Sequence, residues 1–324
     1  MRIIQAQALS SFDDYKIEEV PIPEPGPGEV LVRVAFCSIG YADALVSLGR
    51  YQVKPPLPHT PGGEVAGVVE KLGPGAPAEL LGARVITMIS GGGFREYGLA
   101  AADAVERVPE RLSLEQAAVY RVNFATALHG LRDRGRLAAG ERLLVTGAAG
   151  GVGLAAVQLG RMMGAEVIAA ASTEEKRAFA LANGAHHAID TEPEGWRDRL
   201  KAVTGGKGVD VVYDPVCGPL FELAFRSLAW GGRHLVVGFV GGMPSLPVNL
   251  PLLKGADLVG VDIRQFGLFE PEKAAANNRE LADWLADGRL APTPGPRYPF
   301  AQYKEALAFA MSGKSMGKAL MSMD

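Results

Sequence analysis

The run RLLVTGAAGGVG, Arg142 to Gly153, carries the plainest chemistry in this sequence. Leu143, Leu144 and Val145 form a short apolar run of the kind a parallel sheet buries on both faces. Gly147, Gly150, Gly151 and Gly153 then permit a tight turn and a close approach of backbone to a ligand. The segment reads as strand, turn and helix, and the first amides of such a helix bind phosphate. The fingerprint is the variant A-x-G-x-x-G, Ala148 to Gly153, without the first glycine of the usual dinucleotide pattern; its place between strand and helix gives it weight over an ordinary turn. A dinucleotide with free ribose hydroxyls calls for Asp or Glu at the end of the next strand, about 20 residues on. Here that strand ends Ala169-Ala170-Ala171-Ser172 with no acid, and Lys176 and Arg177 follow. Ser172 can donate to a phosphate and Lys176 can supply charge, so a ribose phosphate fits better than bare hydroxyls. Alternatively, Lys176 and Arg177 pair with Glu174 and Glu175 on a solvated helix face. Asp190-Thr191 ends the third strand, and a carboxylate there must point away from a phosphate.

The elements around this motif alternate. Val145 begins a series of strands and helices: a strand at Glu166 to Ala170, a helix at Glu174 to Ala182, and strands at His187 to Asp190, Val209 to Tyr213, His234 to Val237 and Leu258 to Val261. That is the pattern of a doubly wound parallel sheet. Residues 1 to about 120 instead alternate over short runs, as at Glu29 to Phe36 and Gly63 to Leu72, with PIPEPGPGE and Gly91-Gly92-Gly93 as turns, which suggests a small barrel or sandwich. Glu115 to Arg132 reads as one helix, and the tail holds helices near Ala274 to Ala286 and Tyr303 to Met311 and a last strand at Lys318 to Met321. The two ends must therefore build a second domain together.

Bulk properties narrow the function. The chain has 324 residues, 48% hydrophobic and 21% charged, so it is globular, with room for two domains. A net charge of −3 argues against nucleic acid or an anionic membrane as the main partner. Two cysteines, Cys37 and Cys217, make neither a disulfide framework nor a four-cysteine zinc cluster, and they fit a reducing cytoplasm. The N-terminus lacks the apolar core of a signal peptide. Leu143 to Gly160 carries no charge, but its glycines favour a buried strand–turn–helix over a membrane span.

Several runs, in order and over nearly the whole chain, resemble the zinc-free quinone oxidoreductases of the medium-chain dehydrogenase/reductase superfamily: CSIGYADALVSLGRYQVKPPLPHTPGGEVAGVV, RVNFATALHGL, LLVTGAAGGVGLAAVQLGRMMGAEVIAAAS, YDPVCG, VVGFVGG and GKALM. The resemblance implies an α/β protein, a Rossmann doubly wound parallel sheet inserted in a GroES-like β-rich catalytic domain. Residues 1–122 would form the N-terminal part of that domain, 123–265 the Rossmann NADPH-binding domain, and 266–324 the C-terminal part completing the catalytic domain. The active site would lie in the cleft between them, and homodimers would pair their last Rossmann strands, here Leu258 to Ile263, edge to edge.

Zinc-dependent relatives use a cysteine in the early loop and a G-H-E motif. Here those positions read Gly40 and Gly62-Gly63-Glu64, and Glu64 alone cannot hold zinc. Cys37 reads as a small buried side chain and His59 as surface or packing, so no metal site is expected. Without a Lewis acid, the acceptor must already be activated, as a quinone or an enone is.

By the same resemblance, Gly150, Gly151 and Val152 offer amides to the pyrophosphate, Lys176 meets the 2′-phosphate with Ser172 beside it, and Thr126 contacts the cofactor. Asn123, a helical turn earlier, lines the same side or is a capping or buried structural amide. Val216, Cys217, Gly238, Phe239 and Val240 stand at the carboxyl ends of the fourth and fifth strands, where open α/β sheets bind ligands. Ile263, Arg264 and Gln265 end the sixth strand beside them, and Lys318 reaches the cofactor or is a plain surface lysine. Relatives pair an asparagine with an aromatic in the early loop; here the pair is Gly40-Tyr41. Tyr41 offers a phenol to the acceptor oxygen or walls the nicotinamide, and Tyr51 lines the substrate mouth or packs. Arg121 and Arg264 are either cleft or surface charges.

The sequence thus points to a cytoplasmic NADPH-dependent, zinc-independent reductase of quinones or related conjugated carbonyls, a homodimer acting on a small molecule, with no nucleic acid or membrane as partner. The alternatives are an enone or enoyl-thioester reductase on the same fold and, in another class, an NADPH-binding structural or regulatory protein without turnover.

Overall fold

The computed structural model describes residues 1–324 throughout. Contacts divide the chain into two compact units, Met1–Arg121 with Ala291–Asp324, and Val122–Leu290. Residues 266–290, expected with the tail of the first unit, belong instead to the second. The helix there anchors to its own unit: Arg132 donates to Glu280 and Asn277, and Asn277 donates to Asp133.

In the first unit, β1 (Arg2–Ala6) pairs with β2 (Tyr15–Glu19). The long strand β3 (Glu29–Ile39) leads into α1 (Tyr41–Ser47), and β4 (Glu64–Leu72), β5 (Arg84–Met88), β6 (Tyr97–Ala101), β7 (Glu106–Arg107) and α2 (Leu114–Ala118) follow. Helix α1 falls where the sequence suggested only a loop; the Asp43 carboxylate accepts the Gly40 amide at 2.7 Å and closes its first turn.

The chain passes into the second unit within α3 (Arg121–Leu128), after its first residue, and a π-turn follows at His129–Arg134. The single helix expected over Glu115 to Arg132 is therefore broken. The break has a tertiary cause: the Arg121 amide donates to the Glu64 carboxylate and not along the helix. Six strands follow, β8 (Arg142–Thr146), β9 (Glu166–Ala170), β10 (His187–Ile189), β11 (Val209–Asp214), β12 (Leu228–Val236) and β13 (Asp257–Gly260). Between and after them run α4 (Gly151–Met162), α5 (Glu174–Ala182), α6 (Trp196–Thr204), α7 (Phe221–Arg226), α8 (Asn249–Lys254), α9 (Ile263–Phe269) and α10 (Pro271–Ala286).

The strands lie in the order β10-β9-β8-β11-β12-β13, all parallel. This is the doubly wound order, with β8 and β11 flanking the switch point. Strands β8 and β9 are buried along all but their first residue, as a sheet covered on both faces requires. Edge strand β13 is mostly exposed.

The chain then returns to the first unit through β14 (Pro294–Pro299), α11 (Tyr303–Met311) and β15 (Lys318–Ser322). The completed sheet runs β14-β15-β3-β4-β5-β7, with β6 also on β3. Its core joins both ends of the chain, with Tyr15 and Phe94 packed in one cluster with Phe300 and Leu307. No helix is long and apolar enough to cross a membrane; the uncharged run from Leu143 to Gly160 is β8, its turn and most of α4.

Candidate functional site

In the second unit the turn after β8 is fixed by sterics. Gly147 sits at φ +56°, and a Cβ on Gly153 would stand 2.2 Å from the Gly147 carbonyl oxygen. Only glycine allows α4 to start this close to the strand. Gly150 is the N-cap and provides no side-chain cap, so the first amides of α4, on Gly151 and Val152, have no side-chain acceptor at the cap. That is the setting in which a helix N-terminus takes phosphate.

The end of β9 completes that picture. Ala171 is buried, Ser172 is exposed, and Thr173 caps α5 by accepting the Lys176 amide at 3.2 Å. Lys176 is half-buried, and this partial burial pulls its amine below the ordinary lysine value, against Glu175. Arg177 donates to the Ala171 carbonyl at 3.2 Å, which clamps it to the strand end. Asp190 is neutralised by Arg199 at 2.9 Å and accepts the Glu192 amide at 3.0 Å.

The loops after β11 and β12 meet. Val216 accepts the Gly241 amide at 2.8 Å, and the Gly218 amide donates to Gly242 at 3.1 Å. A Cβ on Gly238 would lie 2.9 Å from the Pro215 carbonyl, so these backbones run in contact, with Phe239 and Val240 exposed beside them. Sequence reasoning missed what shapes this corner, the Asp214 carboxylate. It accepts from the Thr146 hydroxyl at 2.5 Å and from the amides of Val216 at 3.0 Å and Cys217 at 2.7 Å, and it pairs with His234 at 3.0 Å. Burial alone would raise its pKa; hydrogen bonds from His234, Thr146 and Cys217 outweigh burial and hold it below the usual carboxylate value. Cys217 stands at φ +55°, a conformation that side chains rarely adopt.

One other expectation changes here. Ile263, Arg264 and Gln265 do not end the sixth strand; they begin α9, capped by Asp262, which accepts from Arg264 at 2.9 Å and Gln265 at 3.0 Å. The Thr126 hydroxyl donates back to Val122 at 2.7 Å within its own helix, and Asn123 is buried on the same helix. Arg264 is exposed.

In the first unit a buried charged group lies at the head of β4. Glu64 is 1% exposed; besides the Arg121 amide it faces the Lys318 amine at 3.4 Å and the Ser38 hydroxyl at 3.4 Å. Lys318 is thus no plain surface lysine, and its amine is engaged by Glu64. Glu106 stands near the same group, its pKa pushed up to about 7 by burial, against Arg121 and with Glu64 adding to the rise. Cys37 is fully buried, and burial pushes its thiol well up. Gly62, at φ +85°, would drive a Cβ to 2.6 Å from the Cys37 sulfur. No group of three or more His, Cys, Asp or Glu side chains is placed to hold a metal ion.

Beside this group opens a cavity of about 260 Å³. Pro55, Pro56, Pro58 and Pro61 wall it, glycines 62, 63, 91 and 92 leave its backbone bare, and Asp43, His59 and Thr60 are its polar side chains. Tyr41, the first residue of α1, and Tyr51 are half-buried and do not line it. His59 pairs with the Tyr15 phenol at 2.6 Å, which makes it a packing residue as well as a lining one.

Comparison with known proteins bears on both units. The family model for the alcohol dehydrogenase GroES-like domain matches residues 26–110, and that for the zinc-binding dehydrogenase matches residues 151–279. Quinone oxidoreductase-like protein 2 of Rattus norvegicus is 37% identical over 95% of this chain and 88% of that protein. The quinone oxidoreductase of Homo sapiens is 34% identical over 94% of this chain and 92% of its own length. The quinone oxidoreductase of Thermus thermophilus, solved also in complex with NADPH, superposes with a TM-score of 0.84 at 32% identity, covering 100% of both chains.

Proposed function

Since the chain belongs to the quinone oxidoreductase family of the medium-chain dehydrogenases/reductases, we propose that it is an NADPH-dependent, zinc-independent reductase of quinones or related conjugated carbonyls. The observation that carries the cofactor is the end of β9. It offers an exposed serine and a half-buried lysine and no acid, opposite the uncapped start of α4. These residues fit NADPH: the α4 amides of Gly151 and Val152 take the pyrophosphate, Ser172 and Lys176 take the 2′-phosphate, and the loops at Val216 and Gly238 to Val240 border the nicotinamide. When bound, NADPH supplies the hydride. The protein's share is to orient the acceptor and to keep water from it.

Zinc independence is supported by chemistry of the donor set. Gly40 and Gly63 occupy the ligand positions of the zinc enzymes, and the remaining carboxylate, Glu64, is already engaged by Lys318 and the Arg121 amide. We also infer a homodimer through β13, whose edge carries Leu258, with Trp230, Met243, Val248 and Leu252 exposed in the segment leading to it. Two buried, unpaired cysteines suit a cytoplasmic setting.

The test is loss of NADPH absorbance with an ortho-quinone, a para-quinone, a small enone and a simple ketone, each repeated with NADH and with a chelator. Chelator-insensitive turnover of a quinone, faster with NADPH, is expected. Preference for the enone would move the assignment to an enone reductase. Tight NADPH binding with no turnover would move it to a non-catalytic role.

A further inference from the structure

We propose that Asp43 is the acid that delivers a proton to the acceptor's oxygen in the cavity of the first unit. This rests on the reading of the protein as a reductase of conjugated carbonyls. Hydride addition leaves such an acceptor as an oxyanion, a hydroquinone anion from a quinone or an enolate from an enone, and a proton has to reach it. Three side chains bring polar atoms to the cavity. His59 is held by Tyr15, and burial lowers its pKa, so the neutral imidazole is no acid. The Thr60 hydroxyl, 4% exposed, has no hydrogen-bond partner and can hold an oxygen, but it is too weak an acid to give up its proton.

Asp43 has the remaining qualifications. One carboxyl oxygen accepts the Gly40 amide at 2.7 Å, which fixes the group, and the other accepts no hydrogen bond from another residue. Gly40 has no side chain to come between: a Cβ there would lie 3.3 Å from the Asp43 carboxyl oxygen and 3.9 Å from Cε of Lys318. The hydrogen-bonding asparagine of the resembled family is thus replaced by bare backbone on the turn that presents Asp43. Burial raises the carboxyl's pKa, against the opposing pull of Lys318 and the Gly40 amide. The charged and titratable groups around it are Lys318 at the start of β15, Glu64 at the start of β4, Cys37 on β3, and His59 across the cavity.

The step balances. Two electrons and a hydrogen arrive as the hydride that NADPH supplies, leaving NADP⁺. The Asp43 O–H bond breaks, an O–H bond forms on the acceptor oxygen, and water reprotonates the carboxylate. The sum is acceptor plus NADPH plus H⁺ giving reduced acceptor plus NADP⁺; from an enone the enol formed passes to the ketone in solvent.

Asp43→Asn tests this, because its amide oxygen can still accept from Gly40. The kcat for a small enone and for a para-quinone is measured from about pH 5 to about pH 9, with NADPH affinity and thermal midpoint alongside. The wild type should be fastest at low pH and decline as pH rises through the raised pKa of Asp43, because the protonated form is the active one. The variant should lose on the order of 100-fold in kcat at low pH, and lose the declining limb, with NADPH affinity unchanged. A variant with wild-type kcat and the same limb overturns the proposal. If the variant does not fold, the wild type decides: a declining limb with a solvent deuterium isotope effect supports the role, and a flat profile without one refutes it. Wild-type protein that binds NADPH and reduces none of the acceptors refutes the reductase reading itself.

Discussion

Lys176→Ala probes the end of β9 most directly. The lysine is half-buried, and partial burial moves its pKa below the ordinary lysine value, against the pull of Glu175. Two unit charges at 4 Å attract by about 1 kcal/mol in bulk water and about 4 kcal/mol at the effective dielectric of a protein surface. A half-buried amine lies between these limits, at about 2 kcal/mol, or about 30-fold in Kd. Arg177 cannot take its place, because its guanidinium is held by the Ala171 carbonyl at 3.2 Å. NADH lacks the phosphate and should change by no more than about twofold. Titration of each cofactor by fluorescence, at low salt and at about 0.5 M, reads both numbers; the NADPH preference of the wild type should shrink with salt, while that of the variant should barely move. Equal weakening of both cofactors, or no weakening of NADPH, would refute the reasoning.

Other perturbations test other parts. Gly153→Ala places a Cβ 2.2 Å from a backbone oxygen that cannot swing aside, so α4 must leave its turn and both cofactors should lose about tenfold or more in affinity; wild-type titrations would contradict this packing. Asp214 has a depressed folded pKa, so its contribution is present above the unfolded value of about 3.9 and is lost as pH falls through the depressed one. The gap in thermal midpoint between wild type and Asp214→Asn should therefore be widest near neutrality and close below about pH 4, and a gap independent of pH would count against it. Lys318→Met strands the buried Glu64 carboxylate and should cost about 3–5 kcal/mol, whereas Lys318→Met with Glu64→Gln should melt above the single variant; a double variant no better than the single one would mean the pair is not coupled. Leu258→Asp puts a charge on the β13 edge and should yield monomers in sedimentation, and an unchanged dimer would move the interface elsewhere.

The parallel sheet was legible because its signals are local. The apolar run at Leu143 to Val145 is buried on both faces in β8, and β9 and α5 span the residues that their patterns gave. What failed depends on partners distant in sequence. Nothing within Glu115 to Arg132 marks a break, because the group that takes the Arg121 amide is Glu64, 57 residues away. The crossing back to the first unit falls after Leu290 and not at 265, because Asn277 and Glu280 bind Arg132 and Asp133, on the π-turn well upstream. At Ile263 a usable local signal was outweighed: Asp262 is an N-cap type, but the apolar residues before it extended the strand pattern past Gly260.

The same distinction explains the site. Glycines at Gly150 and Gly151, and the missing acid after β9, announce phosphate chemistry within one stretch of chain. The acid–base group of the first unit is assembled from α1, β4 and β15, so no single stretch carries it. Read alone, Glu64 was only the remnant of a metal motif that had lost its histidine. A carboxylate 1% exposed cannot stay ionised there without compensation. The amine that faces it, Lys318, comes 254 residues later. Lys318 also faces Asp43, where with the Gly40 amide it pulls against the burial that raises the Asp43 carboxyl. Glycine at position 40 leaves the Asp43 carboxyl room, since a Cβ there would stand 3.3 Å from its oxygen while making only ordinary contact with Lys318 at 3.9 Å.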